Sequence, residues 1–185
     1  FEFNISAKSF FQVNTKQAEV LYNKALEYAD LQGNETVIDA YCGTGTISLF
    51  LAQKAKKVYG IEMIKPAVIN AKENAKNNNI KNVEFIIGDT VEVMPKLYQE
   101  GVKPDVIVVD PPRAGCEKSV LETFAKMQPS KIVYVSCNPA SLARDIAILA
   151  EHNYQAIKIQ PVDMFSQTSH VESIALLQRK ISKNP

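Results

Sequence analysis

Short apolar runs alternate with amphipathic stretches along almost the whole chain. Val37-Ile38-Asp39, Val58 to Met63, Val83 to Ile87, Val106 to Val109 and Lys131 to Ser136 are rich in β-branched residues and have the length of strands. Between them apolar residues recur at helical spacing. A helix capped by Asn14 or Thr15 is expected to run to about Ala29, with Ala18, Leu21, Ala25 and Leu26 on one face, and Gly33-Asn34 breaks it. Further helices are expected from Ile47 to about Lys56, Lys65 to Asn77, Val91 to Gln99, Lys118 to Met127, and Pro139 to about Ala150. Two last strands, about Ala156 to Val162 and Ser173 to Gln178, follow with no helical pattern between them.

Strands that alternate with helices imply βαβ units and a parallel sheet. The central strands are apolar throughout, as strands covered on both faces should be. The expectation is an α/β fold with helices on both faces, a mostly parallel seven-stranded sheet and an antiparallel C-terminal hairpin at one edge. No internal repeat, linker or low-complexity segment interrupts the pattern, so residues 1–185 are expected to form a single domain. Within it, 1–33 would be an extended N-terminal segment and a helix, and 34–185 the core.

Composition narrows the class without naming it. A hydrophobic content of 46% and a charged content of 22% are those of a globular protein. No apolar run approaches the roughly 20 residues that span a bilayer, and the N-terminus has no signal-peptide pattern. No membrane association is expected. Cys42, Cys116 and Cys137 have no metal-ligand spacing, and an odd number argues against a disulfide framework. A reducing cytoplasm and no metal are the expectation. The net charge of +1 neither announces nor excludes a nucleic-acid partner. The chain does not start with Met, which suggests a piece of a longer protein.

The chemistry-bearing residues collect at the carboxyl ends of the strands, where open α/β sheets bind ligands. Asp39-Ala40-Tyr41-Cys42-Gly43-Thr44-Gly45 is a glycine turn between strand and helix, which lets a ligand approach the backbone. Glu62 ends the next strand, where a carboxylate can accept hydrogen bonds from ribose hydroxyls. Gly43-x-Gly45-x-x-Ser48 lacks the third glycine of the dinucleotide fingerprint, which disfavours NAD. Asp89 follows the third strand, and Asp110-Pro111-Pro112-Arg113 the fourth. The two prolines stiffen that loop, so Asp110 is held in place and Arg113 can reach an anion or a base edge.

Cys137 follows the fifth strand, and Asn138-Pro139 behind it form a good helix start. The positive end of that helix would lower the thiol pKa and make Cys137 a nucleophile. The alternative is a buried packing cysteine. Cys42 is expected to pack beneath the glycine turn, and Cys116 to be a loop thiol. His170 and Glu172 stand two apart at the last strand and could share a face towards the cleft. Glu172 would then serve as a general base if desolvation raises its pKa; the alternative is an exposed edge-strand charge.

Four motifs in this order resemble the S-adenosylmethionine-dependent RNA (uracil-5-)-methyltransferases, which form 5-methyluridine in tRNA or large-subunit (23S) rRNA. They are Ser9-Phe10-Phe11-Gln12-Val13-Asn14, Asp39-Ala40-Tyr41-Cys42-Gly43-Thr44-Gly45-Thr46-Ile47, Asp110-Pro111-Pro112-Arg113-Ala114-Gly115, and Tyr134-Val135-Ser136-Cys137-Asn138-Pro139. The resemblance covers nearly the whole chain and implies a Rossmann-like class I methyltransferase fold. It implies Cys137 as nucleophile and Glu172 as base. It also implies S-adenosylmethionine contacts at Gln12 (methionine part), Tyr41 and Gly43 (glycine turn), Glu62 (ribose) and Asp89 (adenine). Asp110 would lie near both the transferred methyl and the uracil. Asp110 or Arg113 would orient the base, and Tyr41 or Phe165 could stack on it. Ser166 departs from the family pattern, which has Pro there.

The resemblance further implies an RNA substrate, a monomeric catalytic domain, and an N-terminal β-barrel RNA-binding domain outside this stretch. The chain alone would then grip RNA weakly. Competing readings are an amino-methyltransferase using the Asp-Pro-Pro loop, an NAD-dependent oxidoreductase, and an RNA-binding module with a vestigial cofactor site. Amino-methyltransferases follow that loop with an aromatic, where this chain has Arg113.

Overall fold

The computed structural model describes residues 14–180. Gln12, and with it the Phe-Phe-Gln-Val part of the first motif, lies outside the described residues.

The elements in chain order are α1 (Thr15–Ala29), β1 (Thr36–Ala40), α2 (Thr46–Ala52), β2 (Lys57–Glu62), α3 (Lys65–Asn77), β3 (Val83–Ile87), α4 (Thr90–Gln99), β4 (Val106–Val109), α5 (Lys118–Met127), β5 (Lys131–Ser136), α6 (Pro139–Glu151), β6 (Tyr154–Val162) and β7 (Glu172–Arg179). They form one seven-stranded sheet in the order β3-β2-β1-β4-β5-β7-β6. The first five strands are parallel, while β7 runs antiparallel to both β5 and β6. The α/β fold and the antiparallel C-terminal pair are as the sequence pattern predicts.

The helices cover both faces. Leu21 and Ala25 of α1 and Leu51 of α2 pack with Val37, Val108 and Val133 on one side. Met94 of α4, Phe124 of α5 and Leu149 of α6 pack with Ile38, Ile107 and Ile132 on the other. Alternate residues of one strand therefore serve opposite layers, which is why β4 is buried at every position.

One expectation needs correction. The second helix ends at Ala52 and does not reach Lys56. Asn82 takes the freed carbonyls, donating to Ala52 O at 2.7 Å and to Ala55 O at 2.8 Å, so the chain turns into β2 instead of extending the helix. The C-terminal hairpin lies at a sheet edge as expected; within it β7 sits between β5 and β6, leaving β6 outermost, so the alternative of an exposed edge-strand charge for Glu172 does not hold. Glu172 is consequently buried, with 3% exposure.

The strand order reverses between β1 and β4, which pair directly. That reversal opens a crevice at the carboxyl ends of the strands. The candidate site occupies it.

Candidate active site

A cleft of about 420 Å³ lies over the tips of β1, β2, β4, β5 and β7. That volume suits a nucleoside-sized ligand. Tyr41, Gly43, Glu62, Asp110, Arg113, Cys137 and Glu172 all line it. Sequence positions more than 130 apart thus meet in one place, as expected.

The glycine turn builds one wall. Tyr41 has a φ of 65° and Gly43 of 55°, so the backbone curls tightly after β1. The two glycines do different things. Beside Gly43 there is open space, whereas a Cβ on Gly45 would stand 2.7 Å from Phe85 Cζ. Gly43 therefore leaves the cleft free, and Gly45 leaves room for the core. Cys42 is buried among Leu49, Val68 and Phe85, the packing role expected of it. Burial pushes its thiol pKa well up.

Glu62 is tied to that wall at both oxygens. Gly43 N–H donates to Oε2 at 3.1 Å and Ile64 N–H donates to Oε1 at 2.8 Å. Each oxygen keeps acceptor capacity towards the cleft. Asp39, beneath the turn, is fully buried. Ser48 Oγ donates to its Oδ2 at 2.5 Å, and its Oδ1 is the one buried side-chain oxygen or nitrogen without a partner among the described residues. Burial raises the Asp39 pKa to about 7.

The other end of the cleft holds a thiol among carboxyls. Asp110 is half-buried, and desolvation, Glu172 and Asp39 together raise its pKa to about 7. Desolvation also raises Glu172, as general-base work would need. The expected lowering of the Cys137 thiol is not found. Its pKa is raised, by desolvation first and then by Glu172 and Asp110, while its own backbone amide and Arg113 pull the other way. The helix start does exist: Asn138 caps α6 by accepting from Ala140 N–H at 3.1 Å, and Pro139 follows. Its positive end is outweighed by two facing carboxyls in a partly dehydrated cleft.

Other expectations fall outside the cleft. Asp89 is exposed and caps α4 through Val91 N–H at 2.9 Å. It stands near Tyr41 but does not line the cavity. His170 is exposed and precedes β7, so the alternation rule for strands does not link it to Glu172. Phe165 packs against the core and edge-on to His170, with ring centroids 6.4 Å apart, and is also no part of the wall. Ser166 holds its loop by donating to Asp163 at 3.1 Å, in place of the proline. Cys116 is a loop thiol as expected, but a buried one, and its pKa is pushed up to about 12, mainly by desolvation.

Three lining residues were not foreseen. Tyr22 reaches the cleft from α1, one turn along the apolar stripe from Ala18. Met63 and Ile64, exposed to 61% and 46%, follow Glu62 directly and add apolar surface beside a carboxylate. Exposed apolar residues immediately after an acidic strand end are the signal that could have found them.

A family model described as tRNA (Uracil-5-)-methyltransferase matches residues 1–180. The chain belongs to this family. A Clostridium tetani protein named as an uncharacterized RNA methyltransferase is 64% identical over 177 residues, covering 96% of this chain and 38% of that protein. A Clostridium acetobutylicum protein of the same description is 61% identical over 179 residues, covering 97% and 39%. Among solved structures, the Pyrococcus abyssi tRNA (uracil-54, C5)-methyltransferase in complex with S-adenosyl-L-homocysteine is 35% identical with a TM-score of 0.80, covering 95% of this chain and 41% of that one. The N-methyltransferase NodS of Bradyrhizobium japonicum, 15% identical at a TM-score of 0.73, shares the fold. The chain thus spans about two-fifths of the length of the two Clostridium relatives and of the Pyrococcus abyssi protein. The fold is the Rossmann-like methyltransferase fold that the motifs imply.

Proposed function

We propose that the protein transfers a methyl group from S-adenosylmethionine to C5 of a uridine in structured RNA, tRNA or large-subunit rRNA, with Cys137 as covalent nucleophile. The observation that carries this reading is the meeting of Cys137, Glu172 and Asp110 at one end of a cleft whose other end is the glycine turn and Glu62.

The residues present fit the cofactor. Glu62 has acceptor capacity left for ribose hydroxyls, and the space over Gly43 is open. The partnerless Oδ1 of Asp39 suits a ligand ammonium group. Tyr41 borders the same turn, Asp89 near it, outside the cavity lining, would meet the adenine where it extends beyond the cleft, and Gln12 would complete the methionine site. When bound, S-adenosylmethionine supplies an electrophilic methyl on a sulfonium.

Uracil C5 is too weak a nucleophile to take that methyl unaided. Cys137 sulfur bonds to C6, which moves the ring electrons towards C5 and O4. The thiol must lose its proton for this, and Asp110, at about 7, is a neighbouring carboxyl able to receive it. Arg113 and Asp110 orient the base, and the guanidinium offsets charge developing on the ring. After C5 is methylated, the Glu172 carboxylate removes the C5 proton. The released pair re-forms the C5–C6 double bond and expels the Cys137 thiolate. The target base must leave its stack to enter the cleft, at a cost of a few kcal/mol.

No helix among the described residues is long and apolar enough to cross a membrane. We place the protein in the cytoplasm with its RNA. Residues 1–185 act as a single, monomeric catalytic domain, with RNA delivery shared with an N-terminal RNA-binding domain of the intact protein.

A short stem-loop RNA carrying 5-fluorouridine tests the reading. Fluorine cannot leave as a proton, so a methylated adduct should stay on the protein. Intact mass spectrometry should map it to Cys137 and find none with Cys137→Ala. Methyl transfer by the alanine variant would refute covalent catalysis, and methylation at a base nitrogen would refute the C5 assignment.

A further inference from the structure

The loop from Asp110 to Cys116 carries two groups of the site, yet its two prolines leave it few backbone donors of its own. Its hold comes from α6, the helix that begins two residues after Cys137. Asn138 Nδ2 donates to Arg113 O at 3.2 Å. Arg144 Nη2 donates to Ala114 O at 2.9 Å and to Cys116 O at 3.2 Å. Asp145, fully buried, accepts from Cys116 N–H at 2.8 Å through Oδ2. The same oxygen accepts from Tyr134 Oη at 2.5 Å, and Tyr134 stands three residues before Cys137 on β5. The other oxygen, Oδ1, takes Arg144 Nε at 2.8 Å and Nη2 at 2.6 Å.

Gly115 shows how closely the parts fit. Its φ is +80°, and an added Cβ would stand 2.6 Å from Arg144 Nη2 and 2.7 Å from Asp145 Oδ2. The ion pair is thus saturated on the loop side by two carbonyls and one amide. Apolar side chains here could not fix the register of Ala114, Gly115 and Cys116, because they cannot bond the loop's two carbonyls and one amide. Only Asp145 is buried; the Arg144 side chain is about half exposed, so the pair adds little stability as an ion pair and its hydrogen bonds to the loop are the part that fixes geometry.

We propose that Arg144 and Asp145 are positioning residues: they lock the Asp110–Cys116 loop to the helix of Cys137, and so set where Asp110 and Arg113 stand relative to the thiol. The proposal rests on the methyl-transfer reading above. Neither residue lines the cleft, so neither touches substrate.

The test uses the intact protein with Asp145→Asn, Arg144→Ala, Arg144→Lys and Gly115→Ala. Three quantities are measured: single-turnover methyl transfer at saturating cofactor, cofactor affinity, and hydrogen exchange at the Cys116 amide. Asp145→Asn, Arg144→Ala and Gly115→Ala should slow transfer at least tenfold, leave cofactor affinity within twofold, and speed Cys116 exchange at least tenfold. Arg144→Lys, which keeps the charge but loses the planar fork, should recover part of the alanine loss. Folded variants that transfer within twofold of wild type overturn the proposal. So does a rate loss matched by an equal loss of cofactor affinity and melting temperature, because that is a purely structural effect. A wild type that makes no 5-methyluridine instead overturns the function on which the proposal rests; the exchange rates still report whether the pair holds the loop.

Discussion

Ser48 on α2 donates a 2.5 Å hydrogen bond to Asp39 at the tip of β1, and the second Asp39 oxygen is left buried without a partner. This joins the first turn of a helix to the strand beneath it. It also leaves an acidic group at the cleft with one oxygen unpaired.

The sign of the resulting pH dependence follows from burial. Burial raises the Asp39 pKa to about 7, from an ordinary carboxyl value of 3.8. Between those values the folded state holds a proton that the unfolded chain releases. The contribution of Asp39 to stability is therefore fully present below about pH 4, is lost as pH rises to 7, and levels above that. Asp110 acts in the same direction. Asp39→Asn should flatten the melting-temperature profile between pH 5 and 7.5. S-adenosylhomocysteine, whose ammonium stabilises the carboxylate, should release a proton on binding at pH 6, read by calorimetry in buffers of different ionisation enthalpy. Unchanged profiles and no release would separate Asp39 from the cofactor.

Alkylation of Cys137 should report its surroundings directly. Desolvation and the carboxyls of Glu172 and Asp110 raise its pKa, so its reaction with iodoacetamide should rise through a midpoint above that of a free thiol. Glu172→Gln and Asp110→Asn each remove one opposing charge and should lower the midpoint. A midpoint below the free value would restore the helix end as the dominant influence.

Glu172→Gln should separate the two halves of the reaction. Its amide cannot take the C5 proton, yet leaves the thiol free to add. Turnover should fall by about a hundredfold to ten-thousandfold, the usual weight of a general base. A methylated protein–RNA adduct should accumulate with ordinary uridine and survive denaturing electrophoresis. Slow turnover without an accumulated adduct would place the base elsewhere.

The two glycines of the turn should fail in different ways. Gly45→Ala forces a Cβ against Phe85 at a φ of +80°. It should destabilise the fold by about 2–4 kcal/mol, from overpacking and left-handed strain together. Trimming Phe85 to Leu should relieve part of this. Gly43→Ala meets only open space at a φ of +55°. It should cost about 1 kcal/mol of stability but weaken cofactor binding at least tenfold. Thermal melts with and without S-adenosylhomocysteine distinguish the two.

The sequence by itself determined the α/β class, the strand–helix order and most of the cleft. Apolar runs such as Val106 to Val109 and the helical spacing of α1 report burial, and burial needs no partner's identity to be read. Asp110, Cys137 and Glu62 were legible because residues at strand ends must gather at one sheet edge. What only the tertiary structure decided depends on which strands are neighbours. Glu172 is buried because β7 slots between β5 and β6, and no periodicity states that order. The Cys137 pKa is raised because two carboxyls from other strands face it, a balance invisible to local helix logic. Gly45 looked like a ligand-binding glycine, yet its missing Cβ makes way for Phe85 of β3. The Arg144–Asp145 hold on the 110–116 loop joins segments about 30 residues apart, and only the folded packing brings its donors and acceptors within reach.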